Sequence, residues 1–208
     1  MLKLLILIFI FQLIIPVKSF ADKNVNELIN ILKTGNNVAR INASKELVKK
    51  GTSIENQLLK LLETEEDKVK MSIIWILGEW GKKKYLNYLL TFIGGELDIA
   101  RRAIVALGKI RDPLAIPYLV KKLRAKSRYI RTDTVYSLGK IGGHDAFAHI
   151  LTVQDDADWH VREAVAIALG EIGILEGREP LKLMADNDPD PLIRIAAKDS
   201  LKLLREKH

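Results

Sequence analysis

A ten-residue pattern recurs six times in this sequence, at intervals of 30 to 32 residues. Its four strongest copies begin with Val or Ile and end in Leu-Gly. The first residues of the copies are Ala39, Val69, Ile99, Ile130, Val161 and Ile193. Chance does not keep such a register over six copies. The sequence therefore predicts a tandem repeat, in which each unit packs against its neighbours.

Within each copy, mostly apolar residues occupy the first, fifth, ninth and twelfth positions, which is one face of an α-helix. We call this predicted helix B. The ninth position is the most regular, with Leu47, Leu77, Leu107, Leu138, Leu169 and Leu201. Small residues at the fifth position, such as Ala43 and Ala103, should let a neighbouring helix approach closely. A later glycine suits the left-handed residue that ends a helix, and in the third copy we expect Asp112-Pro113 to supply the break in its place.

A second helical stretch, helix A, precedes helix B in each repeat. The predicted A helices are residues 25–32, 54–62, 85–92, 114–123, 146–153 and 179–184. Their recurrent apolar column is Leu59, Leu89, Leu119, Ile150 and Leu181. We expect Pro117 and Pro180 to bend their helices, and helix B to be capped by Asn36, Ser127, Asp158 and Asp190. The prediction is all-α: a right-handed α-solenoid, or α-α superhelix, of six helix pairs.

The first 21 residues differ from the repeats. Lys3 precedes an apolar run of about a dozen residues that ends at Pro16, with small residues at Ser19 and Ala21. The run is shorter than the roughly 20 residues of a membrane-spanning helix. We therefore expect residues 1–21 to be a cleaved signal peptide and residues 22–208 to form an exported repeat domain, periplasmic or secreted. An uncleaved anchor, which would be the one membrane contact, and a buried N-terminal helix remain alternatives.

Composition limits the possible partners. The chain has 33 Lys and Arg against 26 Asp and Glu, a formal charge of +7, which falls to +5 once Lys3 and Lys18 leave with the N-terminal segment. So mild an excess, in an exported monomer, argues against nucleic acid as the partner. The chain has no Cys, which excludes disulfides, thiolate metal sites and cysteine nucleophiles.

The segments 158–173 and 107–123 carry a resemblance to a known family. They resemble HEAT repeats, and specifically the short HEAT-like repeats named after phycobilin lyases. The resemblance implies a non-catalytic scaffold for protein interactions. The alternative it implies is an enzyme or enzyme subunit similar to the phycobilin lyases, although the sequence offers no specific residues for a tetrapyrrole.

The histidines of the sequence do not form a catalytic or metal-binding signature. No His-Glu dipeptide occurs, although a metal-dependent hydroxylase built on HEAT-like repeats should show such pairs. His144 and His149 are five apart, unlike a helical metal pair. We therefore predict no catalytic residue, metal or cofactor. Arginines recur at the second position of helix B, namely Arg40, Arg131, Arg162 and Arg194, and we interpret them as an ion and cap network between repeats.

The face of helix B opposite its core stripe is the candidate binding surface. Its third and seventh positions carry Met71, Trp75, Arg101, Val105, Tyr136, Glu163 and Ile167, with Tyr129 and His160 at the predicted rim. Exposed positions should not be so apolar, and Trp, Tyr and Arg commonly anchor interfaces. We expect a protein or peptide partner on this concave face. Packing of these side chains between repeats, or weak binding of anionic lipid or polysaccharide, are the alternatives, and Trp159 is expected to be a packing wedge.

Overall fold

The computed structural model describes residues 19–64 and 66–207, and this part of the chain contains twelve α-helices and no strand. The helices form six A/B pairs, which confirms the predicted all-α repeat architecture. The pairs are α1 (Val25–Thr34) with α2 (Asn37–Lys50), α3 (Glu55–Thr64) with α4 (Asp67–Trp80), α5 (Leu86–Leu90) with α6 (Leu97–Ile110), α7 (Ile116–Val120) with α8 (Arg128–Ile141), α9 (Gly143–Leu151) with α10 (Trp159–Ile172), and α11 (Arg178–Asn187) with α12 (Pro191–Glu206). The predicted signal peptide lies outside the described residues, apart from its last three positions.

The helices form two layers. Each B helix packs against the B helix of the next repeat, from α2 through to α12, and each A helix packs against the B helix of its own repeat. The predicted leucine column lies at the centre, with Leu47, Leu77, Leu107, Leu138 and Leu169 fully buried. In the second A helix Leu58 and Leu62 are buried, whereas the predicted Leu59 is only half-buried. No helix of the described part combines the length and apolarity needed to cross a bilayer.

Neighbouring B helices approach each other closely at the glycine that ends each Leu-Gly pair. A methyl group built on Gly108 would lie 2.7 Å from the Cα of Ser137, and one on Gly139 would lie 2.8 Å from the Cβ of Ala168. Glycine is needed here because any side chain would push the next repeat away.

The helix ends follow most of the predicted signals. The side chains of Asn36, Asp158 and Asp190 each accept a backbone N–H of the first turn, whereas Ser127 caps α8 without such a bond. Arg111 itself takes the left-handed conformation that glycine has elsewhere, with φ of 55°, so Asp112-Pro113 follows that break and does not replace it. Pro117 and Pro180 lie in the first turn of their helices, where proline is tolerated without a bend.

The recurrent arginines form the predicted network between repeats. Arg131 binds both carboxylate oxygens of Asp156, at 2.7 and 2.9 Å, and donates to the Ala125 carbonyl at 2.8 Å. One repeat later, Arg162 binds both carboxylate oxygens of Asp188 and donates to the Asp156 carbonyl. Arg131 and Arg162 each join their own helix to the loop before it and to the loop of the next repeat, whereas Arg40 and Arg194 bond only to residues just before or at the start of their own helix. The positive charges of Arg131 and Arg162 are therefore used structurally.

Candidate functional site

A groove of about 840 Å³ crosses the B helices of the first four repeats, and we call it the groove. The groove is lined mainly by the third and seventh positions of the first three B helices, which carry Ile41, Lys45, Met71, Trp75, Arg101 and Val105. Four residues predicted for the binding surface, Met71, Trp75, Arg101 and Val105, therefore lie together. They do so because one helical face, repeated every 30 residues, is stacked side by side.

The floor of the groove is apolar and half-buried. Met71 and Trp75 pack in part against the core, so the expected exposure and the expected packing between repeats are both partly correct. The Lys109 ammonium lies 5.8 Å from the centroid of the Trp75 ring, within the range of a cation–π contact. Ile41, at one wall, is 55% exposed, which gives the groove an apolar edge open to solvent.

The charges of the groove are mainly positive. Its lining carries Arg40, Lys45, Lys68, Arg101, Arg102 and Lys109, against the two carboxylates of Asp98 and Asp133. Arg101 pairs with Asp133 at 2.7 Å, and Lys68 pairs with Glu66 at 2.6 Å. Lys109 pairs with Glu79. Lys45 and Arg102 are exposed and have no ion-pair partner among residues 19–64 and 66–207.

A second, smaller cavity of about 50 Å³ adjoins the groove through Arg101. The guanidinium groups of Arg101 and Arg128 lie 4.9 and 4.8 Å from the centroid of the Tyr129 ring. The hydrogen bond that Arg128 donates to the Tyr129 hydroxyl, at 3.1 Å, lowers the pKa of Tyr129. His160 Nδ1 lies 3.0 Å from Arg128. The two predicted rim residues, Tyr129 and His160, are thus joined to the groove by arginine.

The remaining predicted residues lie elsewhere. Tyr136, Glu163 and Ile167 are half-buried and line neither cavity. Burial, followed by the charge of Glu163, raises the pKa of Tyr136. The groove therefore ends before the fifth repeat, although these side chains are half-buried like Met71 and Trp75. Trp159 is 39% exposed and its ring stacks on that of His160 with 3.5 Å between centroids, so the wedge expected between repeats is not what this residue forms.

Of the cations that line the groove, sequence reasoning selected only Arg101 as a site residue. Lys45 occupies the same position in its repeat as Trp75, so the repeat pattern placed it on the candidate surface. It was not selected as a site residue because the selection favoured apolar side chains. Arg102 and Lys109 lie two turns apart on α6, and their reach into the groove depends on how the helices stack. Among residues 19–64 and 66–207, no group of three or more His, Cys, Asp or Glu could hold a metal ion.

Comparisons with known proteins agree on the repeat class. Residues 145–202 match the model of HEAT repeats, and residues 99–124 match that of the PBS lyase HEAT-like repeat, which confirms the resemblance. No curated protein matches the sequence.

Solved structures share the fold at low identity. Human deoxyhypusine hydroxylase is 18% identical with a TM-score of 0.53, over 88% of this chain and 74% of its own. A designed armadillo repeat protein in complex with the peptide (KR)4 is 14% identical with a TM-score of 0.57, over 88% of this chain and 100% of its own. The complex of CpcE and CpcF of phycocyanin lyase from a Nostoc species is 20% identical with a TM-score of 0.53, over 89% of this chain and 76% of the matched chain.

Proposed function

Because residues 99–124 and 145–202 are HEAT-like repeats, we propose that this chain is a non-catalytic scaffold that binds a segment of another protein in the groove. The observation that carries the proposal is the apolar floor of the groove, in which Trp75 and Met71 remain half-exposed beside Val105. A solvated helical face would be polar at these positions. Trp and Arg are also the residue types that most often dominate binding energy at interfaces.

The dimensions of the groove suit an extended segment. The groove spans four B helices, and helices packed at about 9 Å give it a length of about 27 Å. An extended chain advances about 3.3 Å per residue, so about eight residues of a partner would fill it. A segment of this length can present side chains to three consecutive repeats.

The structural relatives support this class of partner and also define its rival. The designed armadillo repeat protein is in complex with a peptide, which gives a precedent for an extended ligand on such a solenoid. The hydroxylase and the phycocyanin lyase show that the same fold also occurs in enzymes. The lining of the groove favours binding, since an indole, a thioether and several cations are suited to contact a chain.

Site-specific photo-crosslinking tests the proposal. A photoreactive amino acid at Ile41, 55% exposed on the groove, should form a discrete adduct with one partner in cells. The matched control is the same amino acid at Leu183, 60% exposed on α11, which should give no such adduct. Trp75→Ala should abolish the adduct at Ile41. Equal labelling from both positions, or an adduct that survives Trp75→Ala, would contradict binding in the groove.

We also propose that the scaffold acts in the cell envelope after export. Support comes from the sequence of residues 1–21, with its apolar run and small residues before Asp22. Mass spectrometry of the N-terminus in envelope fractions should give Asp22 as the first residue. If the protein in the membrane fraction retains Met1, residues 1–21 act as an uncleaved anchor and not as a cleaved signal peptide. If the protein is found only with cytosolic markers, export is contradicted.

A further inference from the structure

We propose that the segment bound in the groove is acidic, with a large apolar side chain on Trp75 between two carboxylates bound by Lys45 and Arg102. This inference rests on the proposed function of the groove and adds the chemistry of its partner. It concerns an acidic protein segment, as distinct from an anionic lipid or polysaccharide.

The charge argument starts from which groups are already paired. Asp133 is held by Arg101 at 2.7 Å, so both charges are largely satisfied within the protein. Lys68 and Lys109 have their own glutamates just outside the groove. Arg40 donates to the Gly35 carbonyl and to Asn37.

Apart from Arg40, which donates only to neutral acceptors and keeps its charge, two cations and one carboxylate of the groove have no partner within the described part of the chain. Lys45 and Arg102 are exposed and unpaired, and so is Asp98. The unsatisfied charge of the groove is therefore positive. Carboxylates bind such cations through short charge-assisted hydrogen bonds, and arginine can bind them in a bidentate manner. A basic segment would meet two unpaired cations and a single acceptor.

The order of the residues along the solenoid sets the spacing of the partner. Lys45 comes from the first repeat, Trp75 from the second and Arg102 from the third. Two helix spacings of about 9 Å place the cations about 18 Å apart. At about 3.1 Å per residue of a polyproline II chain, in which every third side chain lies on the same face, the two carboxylates of the partner lie about six residues apart. The side chain midway between them falls over Trp75.

The apolar floor separates a protein segment from a merely anionic polymer. The exposed part of the Trp75 ring gains from contact with an aromatic or large aliphatic side chain. A polysaccharide or a phosphate-bearing surface has no such group at a fixed distance between two charges. Its binding would depend on the cations and on ionic strength, and very little on Trp75.

Three labelled peptides of about ten residues serve as probes. The first carries two glutamates six positions apart with a phenylalanine midway, in a Gly/Ser background. The second replaces both glutamates by lysine, and the third replaces the phenylalanine by serine. Fluorescence anisotropy measures the binding of each peptide to the mature chain at low ionic strength. We expect the first peptide to bind at least about tenfold more tightly than the other two, because each of them lacks one recognition feature.

Variants of the protein identify the groove as the site. Lys45→Glu with Arg102→Glu should weaken the first peptide by about tenfold or more, since both cations become like charges. The matched control is Arg124→Glu with Lys182→Glu, two exposed cations outside the groove, for which binding should change by less than about twofold. Trp75→Ala should lower the affinity for the first peptide to that for the peptide without phenylalanine.

The outcomes are distinct. Equal binding of the glutamate and lysine peptides would overturn the acidic specificity. If the peptide without phenylalanine binds tightly and Trp75→Ala does not change its affinity, the ligand of the groove is an anionic polymer and not a protein segment. If no peptide binds while the photo-crosslinked adduct at Ile41 persists, the groove binds a partner of other chemistry and only this inference is wrong. If the adduct is absent as well, the proposed function fails too.

Discussion

Arg162 donates two parallel hydrogen bonds to the carboxylate of Asp188, which lies 26 residues later in the sequence. Its Nε lies 2.8 Å from Oδ2 and its Nη2 lies 3.1 Å from Oδ1. The side chains are only 12% and 5% exposed, so the pair joins the fifth repeat to the loop before the sixth in a nearly dry setting. Arg131 and Asp156 repeat this geometry one unit earlier.

Removal of one partner of this pair should strongly destabilise the protein. Arg162→Ala leaves Asp188 buried without its counter-charge, and we expect the free energy of unfolding to fall by about 3 kcal/mol. Urea denaturation followed by circular dichroism measures the change. The control is Lys49→Ala. Lys49 pairs with Glu46 but its side chain is 68% exposed, so its loss should lower the free energy of unfolding by less than about 1 kcal/mol. Similar losses for the two variants would contradict a special role for the buried pair.

The same pair should make stability depend on pH. Burial acts to raise the pKa of Asp188, but hydrogen bonds from Arg162 and from the Asp190 backbone outweigh it, and the net pKa is lowered. A lowered folded-state pKa contributes stability above the unfolded value of about 3.9 and loses it as pH falls through the folded value. Unfolding free energies measured from about pH 6 to about pH 2.5 should therefore fall below about pH 4. Arg162→Ala should flatten this fall, and an unchanged slope would be evidence against the assignment.

Gly108 should not tolerate a side chain. A Cβ there would lie 2.7 Å from the Cα of Ser137, so Gly108→Ala must push α8 away despite the better helix propensity of alanine. We expect a loss of about 1–3 kcal/mol, the usual range for overpacking. Gly94→Ala is the control, because nothing lies within 4 Å of that site and its φ is not positive. Differential scanning calorimetry should show a lower melting temperature for the first variant alone.

Arg111→Gly should stabilise the chain. Arg111 ends α6 in the left-handed conformation, with φ of 55°, which is unfavourable for a residue with a Cβ. Glycine removes that penalty, and the expected gain is about 1 kcal/mol. The same change at Lys126, which precedes α8 without a positive φ, should give no gain. Chemical denaturation of both variants compares them directly, and a loss at Arg111 would show that its side chain makes a larger contribution than its backbone costs.

The predicted fold was accurate because its signals are local. The leucine column, the caps at Asn36 and Asp190 and the helix pairs all follow from residues within one turn or one repeat. Relations between repeats were harder to predict. The contact of Gly108 with Ser137 depends on how far each repeat rotates on the last, which no local pattern encodes.

The candidate site shows the same division. The register placed Met71, Trp75, Arg101 and Val105 on one face, and the groove brings them together. The register also predicted that Tyr136 and Ile167 would extend this surface, but they are half-buried outside both cavities. How far the groove extends along the solenoid depends on how the repeats stack, which no local pattern encodes. The unpaired state of Lys45 and Arg102 could be recognised only after all possible partners were located.

The buried arginine–aspartate pairs are unevenly distributed along the solenoid. In the described chain they join the fourth repeat to the fifth and the fifth to the sixth, whereas Arg40 in the first repeat bonds only within its own unit. In a structure whose units touch only their neighbours, stability is local. The groove therefore lies where the repeats are joined by more exposed contacts, such as the ion pair of Lys109 with Glu79. A partner that bridges several repeats there adds contacts between units that lack the buried arginine–aspartate pairs, so we expect its binding to stabilise that end of the molecule.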